Sequence, residues 1–140
     1  MKKFLFSTDP IWLSKGTGLI RIIIGLFLIY HGSEVFDVDK IKEYTTWDSF
    51  KNSASPAAMV YLGKGAELVA GCLLAIGFLT RVACIIIIGT LGYISFFIGH
   101  GKIWYEDQYP FLFVLLAFIF IFTGPGSWSL DKLAYKNKAG

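Results

Sequence analysis

The sequence predicts an all-α integral membrane protein: a single domain over residues 1–140, folded as an antiparallel four-helix bundle whose helices all cross the bilayer. Three observations predict it. Apolar residues make up 55% of the chain and charged residues 16%, against about 25% charged in soluble domains. The charges avoid four long apolar windows and collect between them. A chain of 140 residues also has no interior able to bury four helices that are apolar on every side, whereas a bilayer solvates them.

The first span is expected over residues 17–36, about 20 residues, the length that crosses a ~30 Å hydrocarbon core. The second is expected over 56–79, where Ser55 reads as the N-cap and Pro56 as the first helical residue. The third covers 81–99 and carries the run Ile85-Ile86-Ile87-Ile88. The fourth covers 109–123 and is stopped by Gly124-Pro125-Gly126. About 20 residues rich in Asp, Glu, Lys and Thr join the first two spans, with Trp47 and Phe50 among them. Only a short turn at Thr80-Arg81 joins the second and third. Residues 101–108 join the last two, and Trp104 and Tyr105 there suit the headgroup boundary.

Met1-Lys2-Lys3 is followed by an apolar stretch too long for a signal peptide and lacking a small-x-small cleavage site, so the first helix is expected to remain as an anchor. With both termini in the cytoplasm, the inner side holds Lys2, Lys3, Lys15, Arg81, Lys132, Lys136 and Lys138. The outer loops hold Lys40, Lys42, Lys51 and Lys102. This bias favours both termini in the cytoplasm. The net charge of +3 comes mostly from the chain ends. It lacks the aromatic-interleaved basic stripe of a nucleic-acid site, so the expected partner is the lipid bilayer.

Gly18, Gly25 and Gly32 recur every seven residues, about two helical turns, and form one stripe that lets a neighbouring backbone approach. Gly63, Glu67 and Gly71 form a second narrow face. Six ionisable residues fall within or beside the spans: Arg21, His31, Glu34, Lys64, Glu67 and Arg81. Burying charge in a membrane costs several kcal/mol, so these residues should face the interior and find partners. His31, Glu34, Lys64 and Glu67 fall at similar estimated depths, roughly 18–25 Å from the inner helix ends. Within each helix they pair at i,i+3. His100, Glu106, Asp107 and Tyr109 should approach from the same side. The expected ligand pocket therefore comprises His31, Glu34, Lys64, Glu67, His100 and Tyr109, placed in the outer half of the bundle. A histidine beside carboxylates can exchange the protons that accompany quinone reduction. Structural ion pairing is the alternative for the same residues.

Arg21, Arg81 and Asp131 form an expected structural set at the inner boundary, where long arginine side chains snorkel to the interface and Asp131 is available to pair with them. Cys72 and Cys84 lie in apolar windows without CxxC or Cys/His ligand spacing and read as buried structural thiols; no metal site is expected. No nucleophile elbow, phosphate loop, HExxH or dinucleotide fingerprint is present. Two isolated histidines are weak evidence for haem, although their estimated depths do not exclude it, and the cofactor that the polar cluster suggests is a quinone.

Several segments resemble the DoxX family of small bacterial membrane proteins. Arg21-Ile-Ile-Ile-Gly25 with Tyr30-His31-Gly32 resembles that family's first helix. Gly65-Ala-Glu67-Leu68 to Gly71, then Gly77-Phe-Leu-Thr80-Arg81, resembles its second helix and turn. Tyr109-Pro110, Thr123-Gly-Pro-Gly126 and Ser129-Leu-Asp131 resemble its fourth helix and exit. The resemblance covers about residues 17–133. It implies a four-helix protein of the bacterial cytoplasmic (inner) membrane, and many members are described as oxidoreductases. Some are linked to thiosulfate:quinone oxidoreduction, quinone tolerance, or membrane complexes handling oxidative and thiol stress. Many members carry a lysine soon after the first-helix glycine, where this chain has Ser33-Glu34-Val35-Phe36, so a lysine-dependent role does not transfer. The resemblance implies a quinone-linked oxidoreductase subunit with a soluble or membrane redox partner. The alternative is a non-enzymatic scaffold or assembly factor for a redox or stress-response complex. A solute carrier fits less well, because no inverted repeat or broken helix is apparent.

Overall fold

The computed structural model describes residues 12–50 and 53–136, which are helical with no strand among them. Lys2, Lys3, Lys51 and Lys138, counted in the charge bias, lie outside the described residues. Helix α1 is Leu13–Gly32, continued by a 3₁₀ turn over Ser33–Phe36. A short helix α2, Val38–Thr45, and a 3₁₀ turn at Asp48–Phe50 follow. Then come α3, Pro56–Ile76, and α4, Thr80–Tyr93, which runs on through a π turn at Ile94–Ile98. The chain continues with α5, Gln108–Thr123, and α6, Leu130–Lys136.

Three segments, Leu13–Phe36, Pro56–Ile76 and Thr80–Ile98, are long and apolar enough to cross a membrane. Helix α5 is equally apolar but has 16 residues. Large apolar side chains such as Leu19, Phe27, Leu62, Ile85 and Phe122 point outward. In water so much exposed apolar surface drives aggregation; in lipid it is the expected exterior.

The four apolar helices begin and end close to the expected boundaries. Pro56 opens α3, as its fixed φ and missing N–H favour. Ser55 makes no side-chain capping bond, contrary to expectation, and contributes only its carbonyl, which accepts the Met59 N–H at 3.2 Å. Gly77, at φ 67°, closes α3. The Gly77 and Phe78 N–H groups return to the Leu74 and Leu73 carbonyls at 3.1 and 3.0 Å, a Schellman ending that needs a left-handed residue.

Helix α1 packs most extensively on α3, and α4 on α5. The heptad glycines explain the first pairing. A Cβ at Gly25 would strike the Ala75 backbone, one at Gly32 the Leu68 backbone, and one at Gly18 the Ser127 backbone. Rising α1 numbers thus meet falling α3 numbers, so the two helices are antiparallel. Gly71 completes the seam from the α3 side against Leu28 and Ile29. Gly63 does not belong to it, since a Cβ there would meet nothing within 4 Å. The expected second stripe is therefore reduced to Gly71.

The buried apolar core gathers Leu28, Ala70 and Leu74 with Ala83, Cys84, Ile87 and Leu91, and with Val114, Ala117 and Phe120. Most of it lies toward the end of the molecule that bears the Gly77–Leu79 turn. Cys84 is a core thiol as expected, whereas Cys72 is exposed. A satellite core of Ile41, Phe50 and Val60 seats α2 and the following 3₁₀ turn over the opposite end.

Candidate functional site

At the end opposite the Gly77–Leu79 turn, the core gives way to a cavity of about 900 Å³. Its walls come from α1 (Leu28, His31), α3 (Val60 to Glu67), α4 with its π turn (Ile85 to Ile98), and the start of α5 (Tyr109, Pro110, Phe113). Tyr44, Trp47 and Phe50, from the segment between α1 and α3, complete the lining. The walls are mainly apolar; Glu106 and Asp107 line them from the loop before α5, and a second polar region holds His31, Tyr44, Lys64 and Glu67.

That region centres on Lys64. Its ammonium lies 2.9 Å from the Glu34 carboxylate and 3.2 Å from Glu67. Glu67 is 6% exposed and Lys64 16%. The Tyr44 hydroxyl donates to the same Glu34 oxygen at 2.7 Å, and the Lys64 ammonium stands 5.1 Å from the centre of the Tyr44 ring. A cation over an aromatic face gains electrostatic stabilisation from the ring quadrupole. Burial, together with the Glu34 carboxylate, pushes the Tyr44 phenol above its ordinary value. Two carboxylates thus share one ammonium, and one of them also accepts a phenol, across three elements.

The structure places the expected residues unequally. His31, Lys64, Glu67 and Tyr109 line the cavity; Glu34 joins the cluster through Lys64 and Tyr44 without lining it. His100 does not line the cavity. It is exposed at φ 65°, in the tight turn that follows the π turn. Glu106 lines the cavity and pairs with Lys102 at 3.0 Å. Asp107 is buried and accepts the Lys102 N–H at 2.9 Å, which folds the loop onto Gly99. Glu67 is nine residues from Ile76, about 14 Å at a ~1.5 Å rise, so it sits near the middle of α3 and not well into its outer half.

Tyr44 is the site residue that sequence reasoning missed. The available signal was short: Asp37 accepts the N–H groups of Asp39 and Lys40, capping α2, and Ile41 and Tyr44 follow at i,i+3 spacing on its inward face. The π turn was equally silent in sequence. It lets the Gly99 N–H bond to Ile94 at 2.8 Å, and the Ile98 carbonyl accepts the Ser49 hydroxyl at 2.6 Å, tying the cover to α4. Turns of this kind often occur at functional sites.

The second expected set behaves differently from a snorkelling pair. Arg21 is 0% exposed. Its guanidinium donates to the carbonyls of Pro125, Ala75 and Trp128 at 2.8 Å each, to Ser127 at 3.4 Å, and to Leu74. One side chain therefore joins α1 to the C-terminal carbonyls of α3 and to the loop after α5. A cation at a helix C-terminus also complements the helix dipole. Asp131 forms no direct ion pair with an arginine among the described residues. Its carboxylate instead accepts the Leu79 and Thr80 N–H groups at 2.8 and 2.9 Å. Burial raises the Asp131 carboxyl, but these bonds and the nearby Arg21 charge outweigh it and hold the group below its usual range. Arg81 is exposed and takes no part.

Among the described residues no cluster of His, Cys, Asp or Glu is arranged to hold a metal ion. The DoxX family model matches residues 16–101, from the start of α1 through the end of α4. The chain belongs to the DoxX family. The match takes in the Arg21 and Gly25 motif, the Lys64 cluster and the Gly77 turn, and stops short of α5 and Asp131. A protein of Haemophilus influenzae, named only as an uncharacterized protein, is 27% identical over 124 residues, covering 84% of this chain and 89% of its own. No solved structure matches the chain. This is a DoxX membrane protein with apolar helices, and the family name brings no reaction with it.

Proposed function

We propose that residues 1–140 form one membrane domain in which α1, α3, α4 and α5 all cross the bilayer, with both termini in the cytoplasm. The Gly77–Leu79 turn then lies at the inner face of the cytoplasmic membrane, and the cavity opens toward the outer leaflet. Helix α5 spans about 24 Å at a ~1.5 Å rise, which local thinning and flanking loops accommodate.

In this reading the cavity binds a quinone, and the protein is the membrane subunit of a quinone-linked oxidoreductase. Reduction of a quinone to a quinol takes two electrons and two protons. The electrons come from a redox partner, and the chain's own groups handle protons. What supports the reading is that Lys64 and Glu67, with Glu34 paired to Lys64 behind them, line a large and mainly apolar cavity together with His31. With both carboxylates and the ammonium ionised, the cluster is one negative charge in excess. The His31 imidazole and the two carboxylates are the groups here whose chemistry suits proton exchange with a bound carbonyl head.

The test is ligand-dependent stability of the purified protein. A short-tailed quinone at about 100 times its Kd should stabilise the fold by about 2.7 kcal/mol. Glu67→Gln and His31→Phe should retain the fold and lose most of that gain. A wild-type melting curve indifferent to quinone rejects the reading and favours a scaffold that holds a redox or stress-response complex.

A further inference from the structure

We infer that the cavity selects a ligand with an uncharged polar head and holds its hydrocarbon tail in a groove between α3 and α4 that opens sideways into the lipid. This rests on the cavity being a ligand site; it goes further in naming the charge class of the head and the place of the tail.

Charge selects the head. Lys64, the cavity's ammonium, is already shared between Glu34 at 2.9 Å and Glu67 at 3.2 Å. An anionic head would have to displace one of these carboxylates and face the other. A cationic head would have to compete with Lys64, whose ammonium already lies 2.9 and 3.2 Å from the two carboxylates. A carbonyl, hydroxyl or amide accepts or donates hydrogen bonds here without displacing an ion-pair partner or adding a charge in lipid.

The tail is argued from the walls. Gly63 on α3 and Gly89 on α4 both line the cavity, and a Cβ on either would meet nothing within 4 Å. These glycines therefore serve no helix contact, unlike Gly25 and Gly32. They leave bare backbone where an alkyl chain fits. Ile85 lines the same cavity and is 64% exposed, so the groove reaches the outer surface of α4. From Ile98 to Ile85 it runs about 20 Å along the helix at a ~1.5 Å rise. An open lateral wall of this kind admits a molecule already dissolved in the bilayer.

The experiment measures thermal unfolding of the full chain in zwitterionic-lipid nanodiscs against four decyl probes: a decyl benzoquinone, decanamide, decyl sulfate and decyltrimethylammonium. The neutral probes should raise the melting temperature, and the charged ones should bind about 100-fold more weakly. Gly89→Leu should abolish the advantage of a decyl over a methyl tail on the same head. Gly63→Leu provides a second variant, and the unliganded melting curve of each shows that it folds. Stabilisation by either charged probe equal to that by decanamide overturns the inference, as does an unchanged tail dependence in both variants. If decanamide binds and the quinone does not, the quinone reading fails and this one stands. If the quinone binds and a charged probe binds equally, the reverse holds. If no probe binds, both fail.

Discussion

The Asp131 carboxylate accepts the backbone N–H of Thr80 at 2.9 Å and so caps a helix that begins 51 residues earlier in the chain. Leu79, the residue in the N-cap position of α4, is left-handed at φ 48° and supplies no side-chain cap of its own. The missing acceptor comes from α6. The return bond runs from the Asp131 N–H to the Gly77 carbonyl at 2.9 Å. The short turn between α3 and α4 is thus held from outside, by a segment beyond the last apolar helix.

Removing that cap has a defined pH signature. Asp131→Ala should cost about 1 kcal/mol, the usual loss when a capping acceptor is deleted. The folded carboxyl is held below its unfolded value near 3.8. The unfolded state therefore binds the proton first, and the contribution is present above that value and lost as the pH falls through the folded pKa. Melting curves of wild type and Asp131→Ala should differ at pH 7 and converge in acid below pH 4. A difference that persists unchanged to the lowest pH would show that the carboxylate charge is not what caps α4.

Arg21→Lys should be nearly as damaging as Arg21→Met. The guanidinium serves carbonyls in two segments, the end of α3 and the loop after α5, from a fully buried position, and a single ammonium, lacking the guanidinium fork, cannot reach them together. Carbonyls left without donors cost about 1–3 kcal/mol each, so the expected loss is roughly 3 kcal/mol or more. The check is unfolding in detergent, with limited proteolysis after residue 123 as a second readout. Wild-type stability in Arg21→Lys would mean that water takes over the carbonyls.

Glycines on α1 and α3 separate into two kinds by what surrounds them. Gly25→Leu drives a side chain into the Ala75 backbone, where a Cβ already stands 2.5 Å from the nitrogen. Backbone cannot yield as a rotamer can, so a loss above the usual 1–3 kcal/mol of overpacking is expected, roughly 3 kcal/mol or more. Gly63→Ala meets open space and should be neutral or slightly stabilising, by up to about 1 kcal/mol from helix propensity. Equal effects of the two substitutions on the melting temperature would remove the distinction between seam and cavity glycines.

This contrast also marks where sequence stops being informative. The long apolar segments are legible because roughly 20 unbroken apolar residues fit little besides a membrane span, and the seven-residue glycine period predicts the α1 seam. Gly63 carries the same local signal as Gly71, and what separates them is that Gly71 faces Leu28 and Ile29 of α1 whereas a Cβ at Gly63 would meet nothing within 4 Å. Sequence puts Arg21 at a boundary, since snorkelling is the common solution for an arginine near a helix end. The carbonyls that bury it come from residues 74–75 and 125–128, which no local pattern brings together. His100 reads as a site residue by its proximity in sequence to Tyr109. A left-handed turn at His100 and Gly101 sends it away from the cavity. Tyr44 is invisible in sequence because an eight-residue amphipathic helix in a polar loop is too short to stand out from its surroundings.

The Lys64 cluster should show strong coupling between residues on different helices. Lys64→Met leaves the Glu34 and Glu67 carboxylates without the ammonium they share, and both are at most 21% exposed. Breaking a buried pair from one side costs about 3–5 kcal/mol, mostly because the remaining charge is unpaired. Glu34→Gln in the same chain removes one of those charges and keeps an acceptor for the Tyr44 hydroxyl, which stands 2.7 Å from the native carboxylate. The double variant Lys64→Met/Glu34→Gln should therefore be more stable than Lys64→Met alone. A double-mutant cycle of unfolding free energies should give a coupling of roughly 1–3 kcal/mol. Leu62→Ala on the exposed outer face of α3 serves as the uncoupled control, its side chain being 74% exposed. Additive behaviour of Lys64 and Glu34 within about 0.3 kcal/mol would mean that lipid headgroups or water screen the pair. The cluster would then be a wetted surface feature, and the charge argument for an uncharged ligand head would lose its footing.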